Sequence, residues 1–452
     1  MDVTEVTQRA DELRARGLRT LTGVISDTGG VMRAKSVPAA RIESFALSGM
    51  GASLTWPQFC VDNGVAMTEE VGVVGDLRLT ADLSTAVILG KGIGWAVADV
   101  RDQEGQRSPF CWRDVLRRQT QLQTREVTLS TTGIECRVGH EMEFVLTDLD
   151  GRALGEHSGW PCYGAGVYLE LGEFAADLCD RLQEVGIAIE QIHAEYGLGQ
   201  FELSLPPLAP LAAGDSVLLA RSVIGMVARE HGMLVSFSPV PFAGGSGNGA
   251  HLHLSFSRDG VPLLSGGGQA RGLHPEGAQA ISGIVSHLPS TIAVVAGTVV
   301  SGERMQPGHW SGAWACWGVE NREAAVRVLS ANNGNPHGAN VEVKCVDAGA
   351  NPWLSTGLIL GLARHGIENQ LPLPQEVTTD PALLTDAEKA AAAVVRLPST
   401  SRERLALFES DEVVRDILGA PLHEAVLAIR RREENAYEGK DVHAHTRFAW
   451  SS

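Results

Sequence analysis

Positive charge is scarce in this chain: 37 Lys and Arg face 54 Asp and Glu, a formal net charge of −17. Without a long basic run it has no electrostatic footprint for a phosphate backbone, so no nucleic-acid partner is expected. Most of the acidic excess reads as a solvated surface. No uninterrupted apolar stretch reaches the ~18 residues of a membrane span. The opening segment MDVTEVTQRADELRARG lacks the apolar centre of a secretion signal and reads as an amphipathic helix. No membrane partner is expected, and the expected compartment is the cytoplasm. Seven cysteines (Cys60, Cys111, Cys136, Cys162, Cys179, Cys316 and Cys345) are odd in number, far apart and without a C-x-x-C pair. That excludes a disulfide framework and a zinc ribbon, and leaves reduced thiols. Internal repeats and low-complexity tracts are also missing.

What is present is enough apolar material for a large core: 44% of the 452 residues are hydrophobic and 20% charged. Residues from about 20 to 105 read as a small strand-rich unit. Leu18–Ile25 alternates, Asp27–Gly30 is a turn and Val31–Val37 returns; Val87–Leu89 and Trp95–Val100 are further strands. The polar run Arg101–Pro109 closes this unit, so we expect domains at 1–107 and 108–452. Beyond it, Trp112–Thr124 and Gly172–Val185 have helical spacing, whereas Val138–Leu146, Gln200–Leu205 and His251–Phe256 alternate as strands. Leu354–Gly366 is an apolar helical stretch, and Ala387–Val395 and Ser401–Tyr437 read as a helical C-terminal region. The interleaving implies an α+β or α/β catalytic domain.

Five short constellations carry chemistry. In Gly139-His-Glu-Met-Glu-Phe144 a strand puts Glu141 and Glu143 on one face, where adjacent carboxylates repel unless cations lie between them. The alternative is a solvated strand face. Glu195-Tyr-Gly-Leu-Gly-Gln-Phe-Glu202 sets an acid at each end of a glycine turn leading into a strand, a spacing also common among ordinary surface acids. In Gly244-Gly-Ser-Gly-Asn-Gly-Ala-His-Leu-His-Leu-Ser-Phe256, His251 and His253 share a face after a glycine loop whose N–H groups are free for phosphate or carboxylate oxygens. A dinucleotide fold is excluded there, because the spacing fails and the loop enters a strand. Arg304-Met-Gln-Pro-Gly-His309, with Arg322 and Arg327 downstream, offers cations for a carboxylate or phosphate, or for surface salt bridges. Asn340-Val-Glu-Val-Lys344 again pairs an acid and a cation, Glu342 and Lys344, on one face. Carboxylates with an imidazole suit Mg²⁺ or Mn²⁺ rather than zinc or copper. Two such ions beside arginines describe phosphoryl transfer.

The order of these motifs resembles the glutamine synthetase family. E-x-E, E-x₆-E enclosing G-Q, G-x-G-x-H-x-H, R-x-x-P-G, N-R-x-x-x-x-R, E-x-K and Ala350-Asn-Pro-Trp-Leu354 follow one another over nearly the whole chain, and Asp76–Thr85 is similar to the segment closing the family's small first domain. The resemblance implies a β-grasp N-terminal domain and a catalytic domain built on a barrel-like antiparallel sheet with surrounding helices. It implies that Glu143, Glu195 and Glu202 hold the metal nearer glutamate, and that Glu141, His251 and Glu342 hold the metal bridging the ATP phosphates, with two or three Mg²⁺ or Mn²⁺ ions per site. It gives Arg304 the glutamate α-carboxylate, Gly247 the α-amino end, Arg322 and Arg327 the transferring phosphoryl group, and His253 and Ser255 (with Arg327) the ATP side. Family members assemble as two stacked hexamers, a homododecamer with sites shared between subunits. ATP would convert glutamate to γ-glutamyl phosphate, which an amine then attacks.

Departures from the pattern bear on the amine. Pro307-Gly-His-Trp310 carries Trp310 where ammonia-using members have a glutamate. The loop Trp56–Asp62 lacks the D-G-S-S that supplies their ammonium-binding aspartate. An indole packs instead against an organic amine or its cation, and His309 is a candidate proton acceptor. The expectation is a γ-glutamyl-amide or γ-glutamyl-polyamine synthetase. The alternatives are a true glutamine synthetase, a ligase for another acid, and a non-catalytic assembly protein, which would be expected to have lost metal ligands. Lys344 stands in place of a substrate-contacting arginine and Asn340 in place of a basic residue near ATP. No tyrosine lies between Leu371 and Thr400, so regulation by adenylylation of a tyrosine there is not expected.

Overall fold

The alternation after residue 18 folds as strands. In the computed structural model, which describes residues 1–120, 133–156, 159–437 and 439–451, β1 (Thr20–Ser26) turns and returns as β2 (Met32–Pro38). Asp27 fixes the turn by accepting from the Val31 N–H and from Arg33 Nε. Gly30 ends it at φ +81°, where a Cβ would strike the Gly349 carbonyl, so only glycine fits. β3 (Met50–Ser53), β4 (Asp76–Ala81), β5 (Val87–Ile88) and β6 (Ile93–Arg101) complete a sheet ordered β2-β1-β6-β4-β3, with β5 against β6. The first helix, Val3–Ala15, is started by a capping box between Asp2 and Glu5 and buries Val6, Ala10 and Leu13, as an amphipathic helix should.

The second sheet contains β7 (Ile134–Thr147), β8 (Gln191–Ala194), β9 (Gln200–Ser204), β10 (Leu234–Ser236), β11 (Leu252–Arg258), β12 (Val261–Pro262), β13 (Trp314–Val319), β14 (Ala324–Leu329), β15 (Asn340–Val343) and β16 (Val395–Arg396). Its path is β16-β13-β14-β15-β11-β7-β9-β8, with β10 on β7 and β12 on β11. Neighbours are antiparallel except β13 and β14. Helices surround this barrel-like sheet, so the fold is the expected α+β arrangement.

Trp112–Thr120, Gly172–Glu184 and Pro352–Glu368 are helices where spacing predicts them; residues 121–124 of the first expectation lie outside the described residues. The C-terminal region differs. The helix from Asp386 stops at Ala391, and Val395 pairs in β16. Ser401–Tyr437 is three helices, broken at Asp411, which caps Glu412–Leu418, and at Gly419, φ +83°. Pro210–Glu230 and Pro275–Val295 have no counterpart in the sequence reading. Both are long and apolar enough to cross a bilayer, but both lie mostly buried inside the protein. They are apolar on nearly all sides, so no amphipathic period marks them. Gly283 and Gly366 let Pro275–Val295 and Pro352–Glu368 pack backbone to backbone; a Cβ on either would overlap the other helix.

Buried charge ties the first sheet to the helices Trp112–Thr120 and Pro210–Glu230. Arg113 binds Asp215 through Nε and Nη2 (2.9 and 2.6 Å) and Asp82 and Asp99 through Nη1 (2.9 and 3.1 Å). Arg117 adds two bonds to Asp99. The arginines hold the Asp99 carboxyl below its usual range although burial opposes this, whereas for Asp215 burial wins and raises it.

Candidate active site

β7 runs through the centre of the second sheet, and strand register alone gathers the candidate residues. Across β8, β9 and β7, His193 lies opposite Glu202 and Glu202 opposite Glu143. Across β14, β15 and β11, Arg327 faces Glu342 and Glu342 faces His253. Because side chains alternate, Glu141 and Glu143 present to one side while Met142, between them, and His140, just before them, are buried on the other.

Among the described residues three groups of ligating atoms result, each within 4.8 Å: Glu141, His251 and Glu342; Glu143, Glu202 and His251; and His193, Glu195 and Glu202. All six residues singled out as metal ligands fall in these groups; Glu141, His251 and Glu342 form one as expected, whereas Glu143 and Glu195 fall in different groups that share Glu202. His251 Nδ1 lies 3.0 Å from Glu141 and 3.4 Å from Glu342, and its Nε2 lies 3.8 Å from Glu143. Gly249 leaves the centre open. Its N–H donates to Glu143 (2.9 Å), and a Cβ would stand 2.7 Å from His251 Nε2 and 2.8 Å from both Glu143 Oε1 and Arg304 Nη2. Gln200 Nε2 steadies the same carboxylate (2.9 Å) while bonding the Gly247 carbonyl and Asn248.

The electrostatics are those of a site short of positive charge. Burial, followed by the charges of Glu141, Glu143, Glu195 and Glu342, pushes the Glu202 carboxyl up to about 9. Burial also opposes ionisation of Glu141 and Glu342, but His251 and His253 hold Glu141 well below the usual range, and His251, Lys344 and His253 hold Glu342 down at about 2. The His193 imidazole, 3.2 Å from Glu195, is raised by that hydrogen bond, and Glu195 is lowered by it against its burial. A carboxyl raised by burial and by neighbouring carboxylates, in a cluster of hard oxygens and imidazoles around a gap a methyl group would fill, fits divalent cations.

The remaining candidates surround this cluster. Arg304 is buried; its Nη2 lies 3.4 Å from His251 Nε2 and donates to the Lys344 carbonyl (3.1 Å). Gly247 packs so closely on the Arg304 side chain that a Cβ would overlap it. Arg327 donates to Glu342 (3.1 Å) and Glu320 (2.5 Å). Lys344 is buried with its ammonium 3.0 Å from Glu342. His253 Nδ1 meets Asn340 Oδ1 (2.9 Å), while its Nε2 lies 3.2 Å from Glu141 without hydrogen-bond alignment. Ser255 is half-buried further along β11. Arg322, His309 and Trp310 are exposed and outside the three ligand groups. Asp62, in the N-terminal loop, is bound by Arg432 Nη1 (2.8 and 3.0 Å) of helix Ala420–Tyr437.

No motif position marks His193 or Glu323, and Gln200 and Gly249, which stand inside G-Q and G-x-G-x-H-x-H, have no role assigned from the sequence. His193 stands two residues before Glu195, the same i, i+2 spacing that marks E-x-E, but its partner Glu202 is visible only in the strand register.

Residues 110–448 match the glutamine synthetase catalytic domain. The chain is 39% identical to a gamma-glutamylpolyamine synthetase of Streptomyces coelicolor over 446 residues, 97% of this chain and 95% of that one. It is 28% identical to a glutamine synthetase of Thermococcus kodakarensis, covering 91% and 88% of the two chains. Among solved structures, a novel glutamine synthase homolog superimposes with a TM-score of 0.84 at 29% identity, covering 96% of this chain and 99% of that one. The family uses ATP and divalent metals, and its members act on small molecules and are oligomeric. From the register that assembles its carboxylates to its match over three quarters of its length, the chain belongs to the glutamine synthetase family and is a ligase of that family.

Proposed function

We propose that this enzyme joins the γ-carboxyl of glutamate to an organic amine, with polyamines the first class to test, at the expense of ATP. The observation that carries the reading is Trp310: six residues after Arg304, an indole 58% exposed stands where a carboxylate would otherwise recruit ammonium. Similarity to a gamma-glutamylpolyamine synthetase supports it. An exposed indole face attracts an alkylammonium by cation–π contact and packs against its methylenes.

In this reading Glu143, Glu195 and Glu202 hold one cation and Glu141, His251 and Glu342 a second, Mg²⁺ or Mn²⁺. When bound, the cations neutralise phosphate charge as it develops. His193, grouped with Glu195 and Glu202, would help to hold a third. Arg304, aligned by the Lys344 and Cys345 carbonyls, takes the glutamate α-carboxylate beside Gly247. A γ-carboxylate oxygen attacks the terminal phosphorus of ATP, ADP departs, and Arg322 and Arg327 spread the charge of the transferring group. His253 and Ser255 lie on the ATP side. The neutral amine nitrogen then attacks the acyl carbon, phosphate leaves, and the surplus proton passes to a nearby base, for which His309 is the candidate. Lys344, bonded to Glu342, orders a metal ligand as well as adding positive charge near the substrate carboxylates. We further propose that residues 1–107 and 108–452 are separate domains, that the assembly is two stacked hexamers, and that a neighbour's N-terminal loop completes each site.

The test is phosphate release from ATP and glutamate with ammonium, ethanolamine, short alkylamines, polyamines or anilines as acceptor. Faster turnover with an organic amine is expected. Fastest turnover with ammonium would make the enzyme a glutamine synthetase instead, the function carried by many of its relatives.

A further inference from the structure

We propose that Glu323 is a positioning residue for the acceptor amine: its buried carboxylate clamps the turn Pro307–Trp310 in the conformation that projects the Trp310 indole. This rests on the acceptor reading above, and it adds a residue that stands at an unspecified position of N-R-x-x-x-x-R.

Trp310 sits at φ +53°, a left-handed conformation that bulky residues avoid, and Gly308 two positions earlier is at φ +80°. With the indole 58% exposed, side-chain packing does not hold the residue there. The restraint comes from behind the turn. Glu323, 7% exposed, accepts from the Trp310 N–H through Oε1 (2.9 Å) and from the Gly308 N–H through Oε2 (3.2 Å). Charge-assisted bonds to two alternate backbone N–H groups specify this turn and no extended alternative. The clamp is itself anchored: Asn321 Oδ1 accepts from the Glu323 N–H (3.1 Å), and Asn321 Nδ2 donates to the Val377 and Thr379 carbonyls (both 2.9 Å).

Both ends of the arrangement lead into the metal cluster. Arg304, where the segment begins, lies 3.4 Å from His251. Glu323 immediately precedes β14, whose Arg327 bonds Glu342 at 3.1 Å. Glu323 therefore sets the height and angle of the indole relative to the reacting carboxylate. Strain maintained by a buried brace under an exposed aromatic is the pattern of a functional display.

Glu323→Ala and Glu323→Gln are to be compared with the wild type in two ways. Amide hydrogen exchange of the 305–312 segment should accelerate in both variants. Amine KM should rise on the order of tenfold in Glu323→Ala, with the KM values for ATP and glutamate little changed. In a Trp310→Ala background, Glu323→Ala should add nothing to the amine KM. Unchanged exchange in folded Glu323→Ala, an equal rise in all three KM values, or additive effects with Trp310→Ala would overturn the clamp. If Glu323→Ala fails to fold, Glu323→Gln, which keeps the volume but sets an amide against one of the two N–H groups, is read by the same criteria. Should ammonium prove the acceptor, the exchange measurement still decides whether Glu323 orders the turn.

Discussion

Gly249→Ala inserts one methyl group at the most consequential point of the site. The added Cβ would lie 2.7 Å from His251 Nε2 and 2.8 Å from Glu143 Oε1 and Arg304 Nη2, closer than carbon and a polar atom approach without displacement. The backbone of Gly249 is not left-handed, so alanine is compatible with it and the conflict is with the three side chains alone. Overpacking of this kind costs about 1–3 kcal/mol. Here the displaced atoms belong to proposed metal ligands and to the arginine proposed for the substrate carboxylate, so the cost should fall on cation binding. Disturbed ligand orientation lowers metal affinity by roughly 10–100-fold. Restricting the unfolded chain offsets part of the clash by about 0.4–1 kcal/mol. Tm of the metal-free protein should consequently move by no more than about 4 °C. Mn²⁺ titration followed by electron paramagnetic resonance, beside thermal unfolding with and without metal, separates the two effects. Wild-type Mn²⁺ affinity in Gly249→Ala would refute the placement of the cations in this gap.

Cation binding should also release a proton. The Glu202 carboxyl, raised to about 9, is protonated at neutral pH in the metal-free protein and must ionise to ligate; calorimetry in buffers of differing ionisation enthalpy should detect this release, and Glu202→Gln should abolish it. Because its folded-state value lies above the unfolded one, Glu202 stabilises the metal-free fold fully below about 4.5 and progressively less as pH rises towards about 9. Urea midpoints over that window should fall with pH without metal and flatten at saturating Mg²⁺; a rise without metal would contradict the assignment. Arg113→Met leaves Asp99 and Asp215 buried without their shared cation and should cost about 3–5 kcal/mol in urea unfolding; a loss under about 1 kcal/mol would show that the network does not hold the first sheet to helix Pro210–Glu230. Trp310→Glu places an acid at the position six residues after Arg304 and should raise kcat/KM for ammonium relative to amines by about tenfold or more; an unchanged ratio would remove the indole from amine selection.

Much of the site is legible in the sequence because strands convert i, i+2 spacing into a shared face. Glu141 with Glu143, and His251 with His253, are readable in this way, and turns such as Asp27–Gly30 punctuate the strands between. What spacing does not carry is register. That Glu202 lies between Glu143 and His193 depends on β9 pairing on both sides. That Asn340 bonds His253 depends on β15 lying beside β11. Gly249 and Gln200 stand inside the G-x-G-x-H-x-H and G-Q motifs, but what they do, leaving space and bracing Glu143, shows only in the geometry. Glu323 reads as one more surface acid until the turn that it clamps is seen. The helices Pro210–Glu230 and Pro275–Val295 escape for the opposite reason: apolar residues on nearly every side erase the helical period. The break at Gly419 is a single left-handed glycine within an otherwise helical composition.

The central claim is that the carboxyl group activated in this site goes to an organic amine rather than to ammonia. Incubating the enzyme with ATP, Mg²⁺, glutamate and equal concentrations of ammonium and a polyamine, and weighing the products by mass spectrometry, tests it directly. The expected product is predominantly the γ-glutamyl polyamine; glutamine as the main product would contradict the claim.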